Sequence, residues 1–292
     1  MSLVEQHHRP VVGFAGMTHL GVVSAASVAG RGFRTICYTP DADLAVRLAA
    51  GQLPVMEPDL DDLVRDNRER LVFASRLSAI GECDLVYIAT DVATDDAGSS
   101  DLDPIRKLIE AIAGVLKPEA LLVILCQVPP GFTRSITVIP PARLYYQVET
   151  LVFGRAVARA MHPERTIIGC ANPAAPLDPH YQAVLSAFGC PLLAMRYESA
   201  ELAKIAINCC LVSSISVANT LAELCENIGA NRGDRVHPKQ LDSAYARNAA
   251  RNDDYRLCST RRRYPAPNPA IRRSGSPRPS ITAFRPVHAC CW

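Results

Sequence analysis

"PVVGFAGMTHLGVVSAASVAGRGFRTICY" occupies residues 10–38, and its reading decides the fold of the N-terminal two-thirds of the chain. The first seven residues, "PVVGFAG", are a short apolar run ending in glycine. Residues 20–32 are small, helix-compatible side chains that again end in glycine, and "FRTICY" (33–38) is a second apolar run. Strand, glycine turn, helix, strand is the βαβ unit, in which a helical crossover returns the chain to lay a second strand parallel to the first. The alternation continues through "LVFA" (71–74), "DLVYIAT" (84–90), "ALLVILCQ" (120–127) and "RTIIGCA" (165–171), with amphipathic stretches such as "DPIRKLIEAIAGVL" (103–116) between them. The expected class is therefore α/β, a doubly wound parallel sheet covered by helices on both faces.

Composition divides the chain unevenly. It has 292 residues, 49% hydrophobic, and a net charge of +2. The segment 231–292 carries twelve Arg and one Lys against four Asp and no Glu, a net of +9, so the remainder carries −7. Only seven of those 62 residues are Ile, Leu, Val, Phe or Met. Such a segment buries too little apolar surface to offset its ordering entropy, and it is expected to be a disordered basic tail. Eleven cysteines without a C-x-x-C pair point to reduced thiols in a cytoplasmic protein. The start, "MSLVEQHHRPVV", has no apolar core of the kind a signal peptide needs, and "IAINCCLVSSISV" (205–217) reads as too short and too polar to span a bilayer. No membrane partner is expected, and nucleic acid only through the basic tail.

The turn after the first strand, "GMTHLG" (16–21), is where a Rossmann-type domain would hold a dinucleotide. The pattern G-x-G-x-x-G lets the backbone approach a pyrophosphate at the helix N-terminus. Gly16 and Gly21 hold the outer positions, and Thr18 stands at the middle one. The second strand should end in an acid that binds the ribose hydroxyls, but Thr39 is there, with Asp41 two residues later. Threonine cannot accept two ribose hydrogen bonds, and it also removes the repulsion that excludes a 2′-phosphate. NAD is the expected cofactor, with NADP open. A Rossmann-type domain with weakened or lost cofactor binding is the alternative at this level.

Three further stretches join the turn: "LPVMEPDLDDLV" (53–64) with Glu57 and Pro58, "CQVPPGFT" (126–133), and "ESAELAKIAIN" (198–208), which opens a long helix running through "NTLAELCENIGA" (219–230). In this order, over roughly residues 10–230, the chain resembles the nucleotide-sugar dehydrogenases of the UDP-glucose/GDP-mannose dehydrogenase family. That family carries a G-x-G-Y-V-G turn, an E-P-G-L segment, an S-T-V-P-P-G-T loop, an N-P-E-F-L-R-E-G segment and an A-E-x-x-K-x-x-x-N helix. Gly16, His19, Leu20 and Gly21 fall on the turn. Gln127 falls on the loop threonine. "VETLVFG" (148–154) falls on P-E-F-L-R-E-G, keeping Glu149 and Gly154. Glu201, Lys204 and Asn208 match the helix motif in full.

The resemblance implies oxidation of the C6 hydroxyl of a nucleotide sugar by NAD, in two steps through a cysteine thioester. It implies catalytic roles for Lys204, Asn208 and Glu149, and cofactor contacts from Gly16, Thr18, His19, Leu20, Gly21, Thr39 and Gln127. It also implies a homo-oligomer built on the long helix. Lys204 and Asn208 are four apart and share a helix face with Glu201; an ammonium and an amide there can stabilise a developing alkoxide. The bland alternative is a solvated face with a Glu201–Lys204 pair. Three regions are expected: a dinucleotide-binding domain at 1–195, the long helix of a truncated central domain at 196–230, and the tail at 231–292. The family's G-F-G-G-x-C-F-P-K-D cysteine segment has no match in the tail, so full two-step activity is not expected. The tail itself reads either as a basic arm or as out-of-frame text after about residue 230. A β-hydroxyacid dehydrogenase, which also pairs a Rossmann domain with a Lys-x-x-x-Asn helix, and a non-catalytic nucleotide-binding protein are the competing functions.

Overall fold

A computed structural model describes residues 9–93 and 100–228; the tail expected at 231–292, with its basic-arm and out-of-frame readings, lies outside the described residues. In chain order the elements are β1 (Val12–Ala15), α1 (His19–Gly30), β2 (Thr35–Tyr38), α2 (Ala42–Ala49), α3 (Leu60–Asp66), β3 (Leu71–Ala74), β4 (Leu85–Ile88), α4 (Asp103–Ala113), β5 (Leu121–Ile124), β6 (Leu144–Gln147), α5 (Ala156–Met161), β7 (Thr166–Cys170), α6 (Pro179–Ser186), β8 (Leu192–Arg196) and α7 (Tyr197–Ile228). The eight strands form one sheet in the order β3-β2-β1-β4-β5-β6-β7-β8. The βαβ unit read from residues 10–38 is present, with Val12 beside Thr35 and Ala15 beside Tyr38 in parallel register.

Every residue of β1, β2, β4 and β5 is buried, as both faces of a doubly covered sheet require. One apolar cluster lies under α1, α3, α5 and α6, with Val22, Val23, Ala26, Val157 and Val184 at its centre. The other lies under α4 and the first turns of α7, with Ile105, Ile109, Ile112, Tyr197 and Ala200. The expected parallel sheet holds from β3 through β6 and then reverses: β6 and β7 are antiparallel, and β8 follows β7 in parallel. The apolar alternation of "RTIIGCA" reads the same in either direction, so only the connection could have revealed this.

The reversal positions α7. Because β8 runs against β6, α7 begins at the end of the sheet where β6 starts, and the Tyr197 hydroxyl donates to the carbonyls of Leu144 (2.8 Å) and Pro141 (3.1 Å). Gly169 lets the helix come this close: a Cβ there would lie 3.1 Å from both Ala200 Cβ and Tyr197 Cα. Contacts divide the chain into two compact units that meet at Ser213 and Ser214, so the first half of α7 belongs to the sheet unit. Over the 28 residues Tyr197–Leu224, α7 contains an 18-residue stretch of mean hydropathy 1.7, long and apolar enough by length and composition alone to cross a membrane. The charged side chains of its first two turns, Glu198, Glu201 and Lys204, are bonded to groups of the sheet unit.

Candidate active site

The turn between β1 and α1 is a built concavity. Gly16 has φ +101°, a conformation that favours glycine, and its N–H continues the ladder to Tyr38 O at 3.0 Å. A Cβ on Gly21 would lie 1.8 Å from Gly16 O, so helix and turn touch through a hydrogen-sized side chain. α1 has no side-chain cap and no acid in its first turn. The N–H groups of His19, Leu20 and Gly21 thus precede the first intrahelical bond, which Val22 N–H makes to Thr18 O at 3.0 Å. Oriented N–H groups beside a glycine cradle suit a pyrophosphate. Thr18 is compatible with this: its φ is −81°, ordinary for any residue, and its hydroxyl turns toward Ala89 O at 3.4 Å. The Leu20 side chain is buried in the core, which leaves its backbone N–H as its contribution to the turn. Thr39 is buried and its Oγ1 accepts from Asp41 N–H at 3.3 Å, while Asp41 caps α2 through Leu44 N–H at 3.0 Å.

His19 reaches backward as well. Its Nε2 lies 3.1 Å from Glu57 Oε2, and its ring stacks on Phe153 with centroids 4.1 Å apart. Glu57 is buried and also accepts from Gly154 N–H (3.1 Å) and Ala156 N–H (2.7 Å). Burial alone would push this carboxyl up; the two backbone N–H groups and His19 outweigh it and hold it below the usual carboxylate range. Glu57 thereby ties the segment after α2, the start of α1 and the loop before α5 into one bracket. The sequence offered Glu57-Pro58 as a motif but gave no partner for it.

α7 carries the second half of the site. From Tyr197 to Lys204 the helix climbs about 10 Å, close to the roughly 13 Å length of a four-residue strand, and so brings Lys204 to the edge where β5 and β6 end. There, Lys204 Nζ donates to Glu149 Oε2 at 2.8 Å and to Glu149 O at 3.0 Å. One turn on, Asn208 Nδ2 donates to Gln127 Oε1 at 3.1 Å. Lys204, Asn208 and Glu149, expected to be catalytic, and Gln127, expected to contact the cofactor, are therefore neighbours. Lys204 is only 7% exposed, yet an ammonium has three donors and Glu149 takes two; an amide nitrogen has two and Gln127 takes one.

Glu201 does not pair with Lys204. It is fully buried and accepts from Gly131 N–H (2.5 Å) and Thr133 N–H (2.8 Å), in the loop that follows β5. Glu149 also accepts from Leu151 N–H, which fixes the carboxylate facing the lysine. Cys126, just before Gln127, is buried and its thiol is pushed up to about 12 by that burial, so it stays protonated and inert at neutral pH. No group of His, Cys, Asp and Glu among the described residues could hold a metal ion.

With this geometry in place, the comparisons are specific. The UDP-glucose/GDP-mannose dehydrogenase family's NAD binding domain matches residues 11–184, and its central domain matches 198–249. The chain belongs to that family. It is 30% identical over 245 residues to the UDP-glucose 6-dehydrogenase TuaD of Bacillus subtilis, covering 80% of this chain and 52% of that one. It is 30% identical over 232 residues to a UDP-glucose 6-dehydrogenase of Pseudomonas aeruginosa, covering 74% and 51%. The chain thus spans about half the length of the curated relatives it matches. Among solved structures, a UDP-glucose dehydrogenase from Pyrobaculum islandicum superposes with a TM-score of 0.70 at 25% identity, covering 87% of this chain and 59% of that one. A GDP-mannose dehydrogenase from Pseudomonas aeruginosa shares the fold with the same TM-score at 20% identity, covering 77% and 54%. Family membership makes NAD the cofactor of the glycine turn, and the uncapped α1, Gly16 and Gly21 fit it.

Proposed function

We propose that this chain is a nucleotide-sugar dehydrogenase homologue that oxidises the C6 hydroxyl of a UDP-sugar, with NAD supplying the hydride acceptor. The observation that carries the reading is the Lys204–Glu149 and Asn208–Gln127 pair of contacts, at the sheet edge from which the dinucleotide turn also projects. The N–H groups at the start of α1 bind and orient the cofactor phosphates. Glu149 orients the Lys204 ammonium, whose remaining N–H, with that of Asn208, meets the substrate oxygen. As the hydroxyl proton passes to solvent water and the hydride leaves C6, the negative charge developing on that oxygen is stabilised more than the neutral alcohol was. Burial of Lys204 strengthens this by lowering the local dielectric.

The chain supplies the Lys–Asn half of the site within the described residues, and the family's cysteine segment has no match in 231–292. The relatives' names point to a UDP-sugar, and the free thiols of Cys37, Cys83, Cys126 and Cys170 fit a reducing, cytoplasmic setting. The test is a single-turnover assay with NAD and UDP-glucose, following reduced nicotinamide and identifying the sugar product. Aldehyde formation that Lys204→Ala slows by about 10²–10³-fold supports the reading. Turnover of a small β-hydroxyacid with none of the UDP-sugar would replace it, as would tight nucleotide binding without any turnover.

A further inference from the structure

We propose that the ends of β2 and β3 form an anion subsite centred on Arg76 that admits a 2′-phosphate, so that this chain binds NADP as well as NAD. The inference rests on the dinucleotide reading of the glycine turn. Tyr38 pairs with Ala74, and Thr39 N–H donates to Ala74 O at 3.1 Å. The two strands therefore leave the sheet together, and Ser75 and Arg76 emerge beside Thr39 and Pro40, where an adenosine ribose lies in this fold. An acid at the end of β2 would both hold the ribose hydroxyls and repel a 2′-phosphate. Thr39 carries no charge to repel that phosphate, and it is 5% exposed with its Oγ1 accepting from Asp41 N–H.

Arg76 is exposed, in extended backbone (φ −93°, ψ 125°), and makes no ion pair among the described residues. It lines an open hollow with Ser75, Ser78 and Glu82, and Glu82 is held by Arg34 at 2.9 Å. With Glu82 paired to Arg34, the Arg76 guanidinium is left to bind a phosphate monoester through two parallel N–H bonds. Two acids oppose it from α2: Asp41, pinned at the helix start by Leu44 N–H, and Asp43 in the first turn. Asp41 and Asp43 are both exposed, so salt screens their repulsion, whereas a direct Arg–phosphate contact keeps its hydrogen bonds. The balance gives acceptance of both cofactors rather than exclusive use of NADP.

The test is calorimetric titration of the full chain with NAD and NADP, with folding checked by circular dichroism. The two dissociation constants are expected to lie within about tenfold of each other. Arg76→Ala should weaken NADP by about tenfold and NAD by less than about twofold, and Thr39→Asp should weaken NADP selectively. NADP binding about a hundredfold weaker than NAD, or an Arg76→Ala effect equal on both, would overturn the inference while leaving the family reading intact. Absence of binding by either dinucleotide would remove both.

Discussion

Glu201 shows how one side chain can serve a site without facing the reaction. Its two oxygens hold Gly131 N–H and Thr133 N–H, some seventy residues back along the chain, and Gly131 sits at φ +93°. Glu201→Gln leaves one of those buried donors against an amide NH₂, and a loss of about 1–3 kcal/mol in denaturant unfolding is expected. Gly21→Ala forces its Cβ against Gly16 O, and should cost about 1–3 kcal/mol and most NAD affinity, measured by melting and titration. Glu57 gives a pH signature. Its folded pKa is lowered, so its contribution is fully present above the unfolded carboxylate value of about 4 and is lost as pH falls below that value through the lower folded one. Stability should drop more steeply with acid in the native chain than in Glu57→Gln, in melts taken from about pH 6 down to about pH 3. Lys204 and Asn208 were legible because four-residue spacing guarantees a shared helix face. Their partners Glu149 and Gln127 came only through family resemblance, since no periodicity links residues 55 or 81 positions apart.

At the scale of elements, the first βαβ unit could be read directly because a glycine turn between two apolar runs has few other solutions. The reversal at β7 could not, because strand direction is set by where the connection crosses the sheet and not by the strand's composition. The same limit hid the seat of α7, which depends on Gly169 and on the Tyr197 hydroxyl. Gly169→Ala tests that seat: a Cβ 3.0 Å from Tyr146 Cβ and 3.1 Å from Ala200 Cβ pushes the helix off the sheet. The expected result is about 1–3 kcal/mol of destabilisation, with faster amide exchange in residues 197–204 and weaker substrate turnover at unchanged NAD affinity.

For the whole molecule, the far part of α7 decides behaviour in solution. Leu211 (54%), Val212 (53%) and Ile215 (51%) are exposed, and Leu221 and Leu224 continue the apolar surface along the helix. A patch of this kind drives association, and light scattering should detect a dimer or larger species whose size falls when Leu211 and Ile215 are both replaced by Asp. The apolar residues of 205–217 pointed to this surface, and the net charge, nearly zero over the whole chain, offers little repulsion to oppose it.

The strand order has a consequence of another kind. β8 closes the sheet on one side, and three of its five residues are exposed. Its outer N–H and C=O groups form a ready template onto which a foreign strand can add. Pro191 before it and Arg196 at its end act as gatekeepers, a backbone that cannot donate and a charge that resists stacking. Replacing both would turn a guarded border into a nucleus for fibrillar growth, a fate separate from helix-driven association.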